Sequence, residues 1–434
     1  MIKKLVVVLV TLFVSFSFAQ QGTTSPYSFY GIGSLKFKGT VENRSMGGLS
    51  IYTDSIHMNL RNPASYGGLN LSSYGGESRP VKFTVGGGSS GVNFKTNDSE
   101  ESSSSTSFDY LAIGIPIGKL GVGLGLLPYT SVGYKIGAGD PEMLTNRYNG
   151  SGGLNKAFFT VGYQLNKNFS IGVDANYDFG NIQNSAIEFV YDDEDNLVQY
   201  QSREDNRSDL SGLNYNFGFS YKGMINEKLQ LTSGFTYTPK STLVSKNERT
   251  IATLVINDLT GVEAVVNSIE EDLESRGLQE TDQILPSRVS FGIGFGQPKK
   301  WFMGAEYASQ KTSQFSNRIF TIENATFEDA STFSFGGFYI PKYNSLSSYL
   351  QRVVYRAGIR FENTGLNINT ESINEFGISF GVGLPVGRAF SNANLGFEIG
   401  KRGTTNQNLI QENFFNFSLS LSLNDRWFVK RKYD

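Results

Sequence analysis

The chain has no cysteine and only one histidine, His57, among its 434 residues. These absences exclude disulfide bridges, cysteine nucleophiles, Cys/His zinc sites and histidine-dependent triads. The chain also has almost no net charge, because its 38 basic side chains are balanced by 40 acidic ones. A nucleic-acid partner would call for a basic protein, so this balance argues against one. After the first twenty residues no apolar run reaches the ~18 residues of a membrane helix. We therefore expect no enzyme, no metal site and no cofactor.

The N-terminus has the pattern of a secretory signal peptide. Lys3 and Lys4 precede an apolar run from Leu5 to Phe16, and small residues follow at Ser17 and Ala19. This arrangement predicts a signal peptide over residues 1–19, cleaved after Ala19, so that the mature chain leaves the cytoplasm.

The mature chain is rich in Phe, Tyr and Gly, and apolar and polar residues alternate in many segments. Over 169–179 the odd positions are apolar, whereas the even positions include Asp174 and Asp178. Side chains of a β-strand alternate between its two faces, so the apolar residues lie on one face and the polar residues on the other. Aromatic outer faces, polar inner faces and short turns that alternate with long polar segments are typical of an outer-membrane β-barrel.

This alternation predicts an all-β protein, an antiparallel transmembrane β-barrel of about fourteen strands over residues 80–424. A hatch or plug segment is expected over 20–79, and a periplasmic C-terminal tail over 425–434. The predicted strands cover 80–95, 107–117, 120–136, 153–164, 168–180, 210–223, 228–242, 286–296, 300–310, 350–361, 364–371, 374–384, 392–402 and 412–424.

Residues 20–79 lack sustained alternation, and they could form either a disordered tail or a plug inside the barrel. Their motifs are Ser45-Met46-Gly47-Gly48-Leu49, Thr53-Asp54-Ser55 and Asn62-Pro63-Ala64. Pro63 fixes its own φ and pushes Asn62 into an extended conformation, which predicts a rigid corner. These motifs resemble the N-terminal hatch of the FadL family of outer-membrane transporters of hydrophobic compounds. The resemblance implies that Met46, Gly47, Gly48, Asn62, Pro63 and Ala64 lie inside the barrel.

A second stretch is also similar to the FadL family. Leu285-Pro286-Ser287-Arg288 leads into an alternating strand, and Trp301 lies in the next one. The family's barrel has fourteen strands, which agrees with the count above. The C-terminal sequence after Leu423 is similar to barrels of the Bacteroidetes group, where FadL-like members include the PorV component of type IX secretion.

The segment after residue 260 carries a helical pattern. Thr260 and Glu263 can form a capping box, and Val262, Val266, Ile269 and Leu273 recur at helical spacing. We predict an amphipathic helix here, either packed on neighbouring loops or forming one wall of an apolar ligand-binding groove. The resemblance favours the groove, because FadL-like barrels use their third and fourth loops in that way.

Pro128 interrupts the third predicted strand, whose apolar side chains face lipid. Proline donates no hydrogen bond to a sheet, so Pro128 should mark a bulge or an inward kink. The unpaired groups there cannot face hydrocarbon, because each would cost several kcal/mol. The resemblance implies that a kink of this kind releases apolar cargo sideways.

Three functions are open at this stage. The first is passive uptake of hydrophobic small molecules through loops, hatch and a lateral opening. The second is a PorV-like scaffold for protein secretion or for assembly of outer-membrane complexes, and the third is a diffusive porin, against which the plug argues. The expected partners are outer-membrane lipid, hydrophobic small molecules and secretion-machinery proteins. The expected location is the outer membrane of a Gram-negative cell.

Overall fold

The structure is a computed structural model that describes residues 22–54, 56–70, 81–140, 143–257, 260–315, 324–386 and 391–425. The predicted signal peptide, Ser55, residues 71–79 of the predicted hatch segment and residues 426–434 of the predicted tail lie outside the described residues.

The described residues form twenty β-strands joined in one antiparallel sheet. The strands are β1 (Ser34–Leu35), β2 (Val81–Lys95), β3 (Glu100–Ile117), β4 (Leu120–Pro128), β5 (Thr130–Asp140), β6 (Met143–Gln164), β7 (Phe169–Glu188), β8 (Gln201–Met224), β9 (Gln230–Thr238), β10 (Ser241–Ile256), β11 (Glu263–Glu270), β12 (Glu280–Leu285), β13 (Arg288–Gln297), β14 (Trp301–Gln310), β15 (Ala325–Phe327), β16 (Ala330–Tyr339), β17 (Val354–Ile368), β18 (Glu371–Val386), β19 (Ser391–Arg402) and β20 (Gln411–Asp425). Because β20 pairs with β2, the sheet closes into a barrel.

The wall has fourteen strand positions, as the sequence predicted. Four positions are built from two consecutive strands with a short break between them: β4 with β5, β9 with β10, β12 with β13 and β15 with β16. Three of the breaks lie at or beside Pro128, Pro239 and Pro286. Proline cannot donate to the sheet, so a strand is interrupted where it occurs.

One predicted strand is wrong and one strand is absent from the prediction, so the two errors cancel in the count. Residues 330–339, which fall in a long loop of the predicted barrel, form β16, and this strand pairs with β14 and β17. The predicted strand 364–371 is not separate, because β17 continues through that region to Ile368. The pairing register of β17 shifts between Asn363 and Asn367, and this irregularity made one strand resemble two.

The two ends of the barrel differ in their connections. At the turn end, β3 and β4, β6 and β7, β8 and β9, and β13 and β14 are joined by short turns. At the loop end, strands extend into segments that the sequence analysis took for loops: β6 has 22 residues and β8 has 24. A transmembrane strand needs only about 9–11 residues, so these strands project beyond the membrane. Short turns face the periplasm in barrels of this class.

The alternation predicted from the sequence sets the two faces of the wall. Along β7, Asp174 and Asp178 are buried and face the lumen, whereas Ile171, Val173 and Tyr177 are exposed on the outside. The same division runs around the barrel, so the outer surface is an apolar band that lipid can cover.

In the described residues, helical structure is limited to short segments. One α-helix, α1 (Val41–Arg44), lies inside the barrel. The 3-10 helices are Pro26–Phe29, Pro63–Asn70, Thr312–Gln314, Leu350–Arg352 and Asn406–Asn408. None of the described helices has the length and hydrophobicity needed to cross a membrane.

Candidate functional site: the occupied lumen and its side opening

The hatch, described here as residues 22–54 and 56–70, runs through the lumen. It begins near the loop end, forms α1 near the middle and turns at Asn62. The Thr40 hydroxyl donates to the Asn43 side-chain oxygen over 2.8 Å in a reciprocal capping box that fixes α1. Most hatch side chains from Thr40 to Ile51 are buried, so this segment fills the lumen.

The predicted residues Met46, Gly47 and Gly48 form the turn that follows α1. Gly47 and Gly48 have φ values of 70° and 89°, a left-handed conformation that favours glycine. The Gly47 N–H donates to the Ser379 hydroxyl over 2.9 Å, and Met46 is buried against the wall. A Cβ on wall residue Gly358 would collide with the Met46–Gly47 backbone, so this turn lies directly on the wall.

The predicted Asn62-Pro63-Ala64 corner rests on the opposite side of the barrel. The Asn62 side chain accepts from the Ala64 N–H over 3.0 Å and donates to the Phe219 carbonyl over 3.1 Å. Gly172 and Gly218 face Pro63 with no side chain between, and a Cβ at either position would overlap the corner. We call this glycine-lined contact, formed by 62–66 with β6, β7 and β8, the steric face.

Buried charges hold the hatch on the other side, where Lys38 meets β17–β20. We call this group the ionic face; it comprises Lys38, Arg360, Glu362, Glu375, Glu398, Arg402 and Glu412. The Arg360 guanidinium lies 2.6 Å from Glu375 and 2.7 Å from Glu398. The Lys38 ammonium lies 2.6 Å from Glu375 and 3.1 Å from Glu362. Lys38 is thereby the hatch's charged member of a network whose other charges belong to the wall, and the hatch residue Ser25 also donates to Glu412.

Two further ion pairs join the hatch to other strands. Arg44 lies 2.5 Å from Asp109 on β3, and Arg61 lies 2.9 Å from Glu306 on β14. The Ser50 N–H and hydroxyl also donate to Glu306, so one carboxylate binds two parts of the hatch. Breaking a buried pair of this kind costs about 3–5 kcal/mol, because the remaining charge is left uncompensated. The hatch is therefore fixed from several directions.

The hatch is also folded tightly where it approaches the turn end. The Asp54 carboxylate accepts from His57 Nδ1 over 2.7 Å and from the Ile56 and His57 backbone N–H groups. Burial alone would raise the pKa of Asp54, but the His57 charge and these hydrogen bonds hold it below its usual range. Burial raises the pKa of Tyr52 above its usual range.

A side opening lies beside Pro128, where the sequence predicted a kink. The wall breaks at Tyr129, and β5 then pairs with β6 on one edge and with hatch strand β1 on the other. On its other side β4 pairs only with 111–117 of β3, and no described strand joins β3 to β5 above that point. The Lys36 N–H donates to the Tyr129 carbonyl over 3.0 Å, so the hatch takes the place of the missing wall pairing.

The chemistry of this opening is polar. It leads into a cavity of about 120 Å³ with serines and charged groups in its lining, among them Lys36, Arg44, Ser105, Ser107 and Asp109. Burial lowers the pKa of Lys36, and the nearby Asp109 carboxylate opposes that shift. An apolar molecule that left the lumen here would have to cross these polar groups.

A smaller, more apolar cavity of about 100 Å³ lies toward the loop end. Tyr30, Ile32, Tyr129, Phe315 and Phe327 line it, but Lys38, Glu362 and Arg402 of the ionic face border it as well. Ligand pockets usually have volumes of about 300–1,000 Å³. This space is therefore too small for a drug-sized ligand.

The helix predicted after residue 260 is wrong. Residues 263–270 form strand β11, which pairs with β10 over 250–256. Val262, Val266 and Ile269 are exposed on this hairpin, whereas Leu273 is buried in the segment that follows. Helical and extended conformations both suit this short apolar pattern, and pairing with β10 decides between them. These four residues therefore do not share one face of a helix, and their assignment to a ligand-binding groove stays a prediction.

The ionic face was missed by the sequence analysis. Its signal was present, because Arg356, Arg360 and Glu362 lie at even positions of a strand whose odd positions include Tyr355 and Phe361. Charged side chains that point into the barrel are buried, so each needs an oppositely charged or hydrogen-bonding partner there. No group of three or more His, Cys, Asp or Glu side chains among the described residues is arranged to hold a metal ion.

Comparison with solved structures shows the same fold as FadL-type channels. The toluene transporter TodX of Pseudomonas putida is 13% identical with a TM-score of 0.55, over 91% of this chain and 99% of that one. The toluene transporter TbuX of Ralstonia pickettii is 12% identical with a TM-score of 0.55, over 88% and 97%. A Pseudomonas aeruginosa FadL homologue is 13% identical with a TM-score of 0.55, over 88% and 98%.

These similarities show that the protein has the fold of these barrels, two of which are named as toluene transporters. No curated protein matches the sequence. The family model described as BamG matches residues 1–434, which is the full sequence. The chain therefore belongs to the BamG family.

Proposed function

We propose that the protein is a sealed barrel of the Gram-negative outer membrane that serves as a scaffold for partner proteins. The observation that carries this proposal is the fixed hatch, which fills the lumen and is bound by buried charges on several sides. A conduit must release its plug or leave a path around it. Release would expose or separate at least three buried ion pairs at once, each of which costs several kcal/mol to break.

The loop end supports the same proposal. Strands β6, β7, β8 and β10 form a sheet that rises beyond the membrane, and β11 pairs at its edge with β10 alone among the described strands. Val262, Val265, Val266 and Ile269 on this hairpin are each more than half exposed. An exposed apolar strand edge is a template for pairing with another chain. This edge is the surface that we assign to an exported protein or a complex partner.

The experiment combines conductance with site-specific crosslinking. The purified full chain should show no ion conductance in a planar bilayer, whereas a variant that lacks residues 22–68 should conduct. A photo-crosslinker at Val266 or Ile269 should yield a discrete protein adduct in native membranes. The same probe at lipid-facing Ile293 serves as the control, because it should crosslink only lipid. The scaffold proposal would be contradicted if the full chain conducted ions. It would also be contradicted if the probes on β11 gave no protein adduct beyond those seen at Ile293.

A second candidate function is uptake of hydrophobic small molecules, and the break after Pro128 favours it. Strand β5 is not joined to β3 there, so the wall has a lateral gap that only the hatch covers. Replacing Pro128 with Val should extend the β4–β5 ladder and narrow the gap. If the protein is a conduit, entry of a fatty-acid-like probe into proteoliposomes should then fall while heat-modifiable gel mobility stays normal. No probe entry in the parent would leave the scaffold as the function.

A further inference from the structure

The turn end carries an excess of unpaired positive charge. Each of the five described connections at this end contains at least one exposed lysine, whereas Glu227 is their only acidic residue. We call these six side chains the rim lysines: Lys119, Lys167, Lys228, Lys299, Lys300 and Lys342. None of them forms an ion pair with a carboxylate in the described part of the chain.

Four cations at the loop end, by contrast, are paired with carboxylates. Arg147 and Arg203 both bind Glu263, Arg276 binds Glu271, and Lys311 lies 2.5 Å from Asp329. The rim lysines therefore differ from these four cations in lacking a protein counter-ion. An array of exposed, uncompensated cations attracts anions from its surroundings.

The position of the rim lysines relative to the membrane identifies the anion. Tyr163, Trp301, Tyr339 and Tyr355 lie on the outer surface near the turn end, where aromatic residues mark the membrane interface. Lys167, Lys299, Lys300 and Lys342 each lie within four positions of one of these aromatic residues, beyond the apolar band. Exposed Ile117, Leu165 and Ile225 continue that band up to the turns. A lysine at this level extends its ammonium toward the headgroups while its stem stays on apolar surface.

From this geometry we infer that the rim lysines bind the anionic headgroups of phospholipids in the periplasmic leaflet. The lysines are distributed over all five described connections, which follow one another along the rim from β3 to β17, instead of forming a patch on one side. A surrounding layer of lipid contacts every turn, whereas a single acidic protein would contact only a few. This inference does not depend on the proposed function, because it applies equally to a scaffold and a conduit.

Tryptophan fluorescence can test this inference, since the sequence has only two tryptophans, Trp301 and Trp427. With Trp427→Phe, the remaining Trp301 reports on lipid beside Lys299 and Lys300. The full chain is placed in phosphatidylcholine vesicles that contain brominated phosphatidylglycerol or brominated phosphatidylcholine. Quenching should give a relative binding constant that favours phosphatidylglycerol by about fivefold, the effect of one surface charge. Lys299→Gln with Lys300→Gln should bring that ratio close to one, as should high salt.

The matched control is Lys240→Gln with Lys246→Gln, two exposed lysines of the loop half, which should leave the preference unchanged. Heat-modifiable gel mobility shows that each variant is folded. Equal quenching by both lipids in the parent, or a preference that survives in the Lys299→Gln, Lys300→Gln variant, would overturn the inference. If poly-L-glutamate changes Trp301 emission while phosphatidylglycerol shows no preference, the rim fits an acidic protein and the lipid assignment is wrong.

Discussion

The steric face and the ionic face hold the same hatch by different physical means. At the steric face, glycines of β7 and β8 let the backbone around Pro63 approach the wall so closely that no side chain fits between. At the ionic face, Lys38 reaches a network of buried carboxylates and guanidinium groups on β17–β20. Close packing cannot adjust to added volume, whereas a charge network can lose one member and partly rearrange. The comparison teaches that the first face should be less tolerant of change than the second.

The largest effect is expected from Gly172→Val at the steric face. A Cβ there would overlap the Pro63 backbone, and since both partners are backbone neither can move aside. We expect the hatch to lose its docked position, with a cost above about 3 kcal/mol. Single-channel conductance and proteolysis of the hatch would measure the loss.

The matched control for this substitution is Gly91→Val, whose Cβ would meet only one atom, at 4.0 Å. This variant should stay sealed. If Gly172→Val were also sealed and resistant to protease, the close contact at the steric face would not be what positions the hatch.

A smaller effect is expected from Arg360→Met at the ionic face. It removes the cation between Glu375 and Glu398 and leaves buried carboxylates without their partner. The free energy of unfolding in urea should fall by about 3 kcal/mol, the lower end for a broken buried pair, because Lys38 and Arg402 still compensate Glu375. Arg207→Met, which breaks an exposed pair with Asp209, should leave the free energy of unfolding nearly unchanged. If both variants lost the same free energy of unfolding, the ion pairs of the ionic face would contribute no more than an exposed ion pair.

The smallest effect concerns pH and lies in the hatch between the two faces. The folded pKa of Asp54 is below its unfolded value, so ionised Asp54 contributes stability that is fully present above the unfolded pKa of about 3.9. That contribution is lost as the pH falls below this value. Asp54→Asn should therefore cost about 1–2 kcal/mol at pH 7 and progressively less in acid. A pH-independent difference between the variant and the parent would contradict this assignment.

The comparison of the two faces also shows what the sequence could predict. Alternation predicted the fourteen-strand barrel because period two is imposed on every strand that has lipid on one side and a lumen on the other. The residues of the steric face were singled out through Asn62-Pro63-Ala64, since proline makes a local signal. Local pattern could not indicate which wall glycines meet that corner, because Gly172 and Gly218 are brought to it only by the closed barrel.

The parts that sequence reasoning missed depend on pairing between distant segments. β11 became a strand instead of a helix because β10 offers it a backbone partner, which the pattern of Val262, Val266 and Ile269 cannot show. The ionic face depends on β17, β18 and β19 being neighbours in the wall. The omission of β16 was avoidable, because Phe333 and Phe335 alternate with Thr332, Ser334 and Gly336 in the sequence.

The breaks at Pro128, Pro239 and Pro286 have a consequence for how the wall opens to solvent. Each break interrupts the continuous ladder of amide hydrogen bonds between the membrane half of a strand and its loop-end half. Cooperative opening of a sheet spreads along unbroken ladders, so the two halves should exchange their amide hydrogens as separate units. Amides of β10 and β12 should exchange together and faster than those of β9 and β13. In the continuous strands β7 and β8, protection of the amides from hydrogen exchange should decline gradually from the membrane half to the loop-end half.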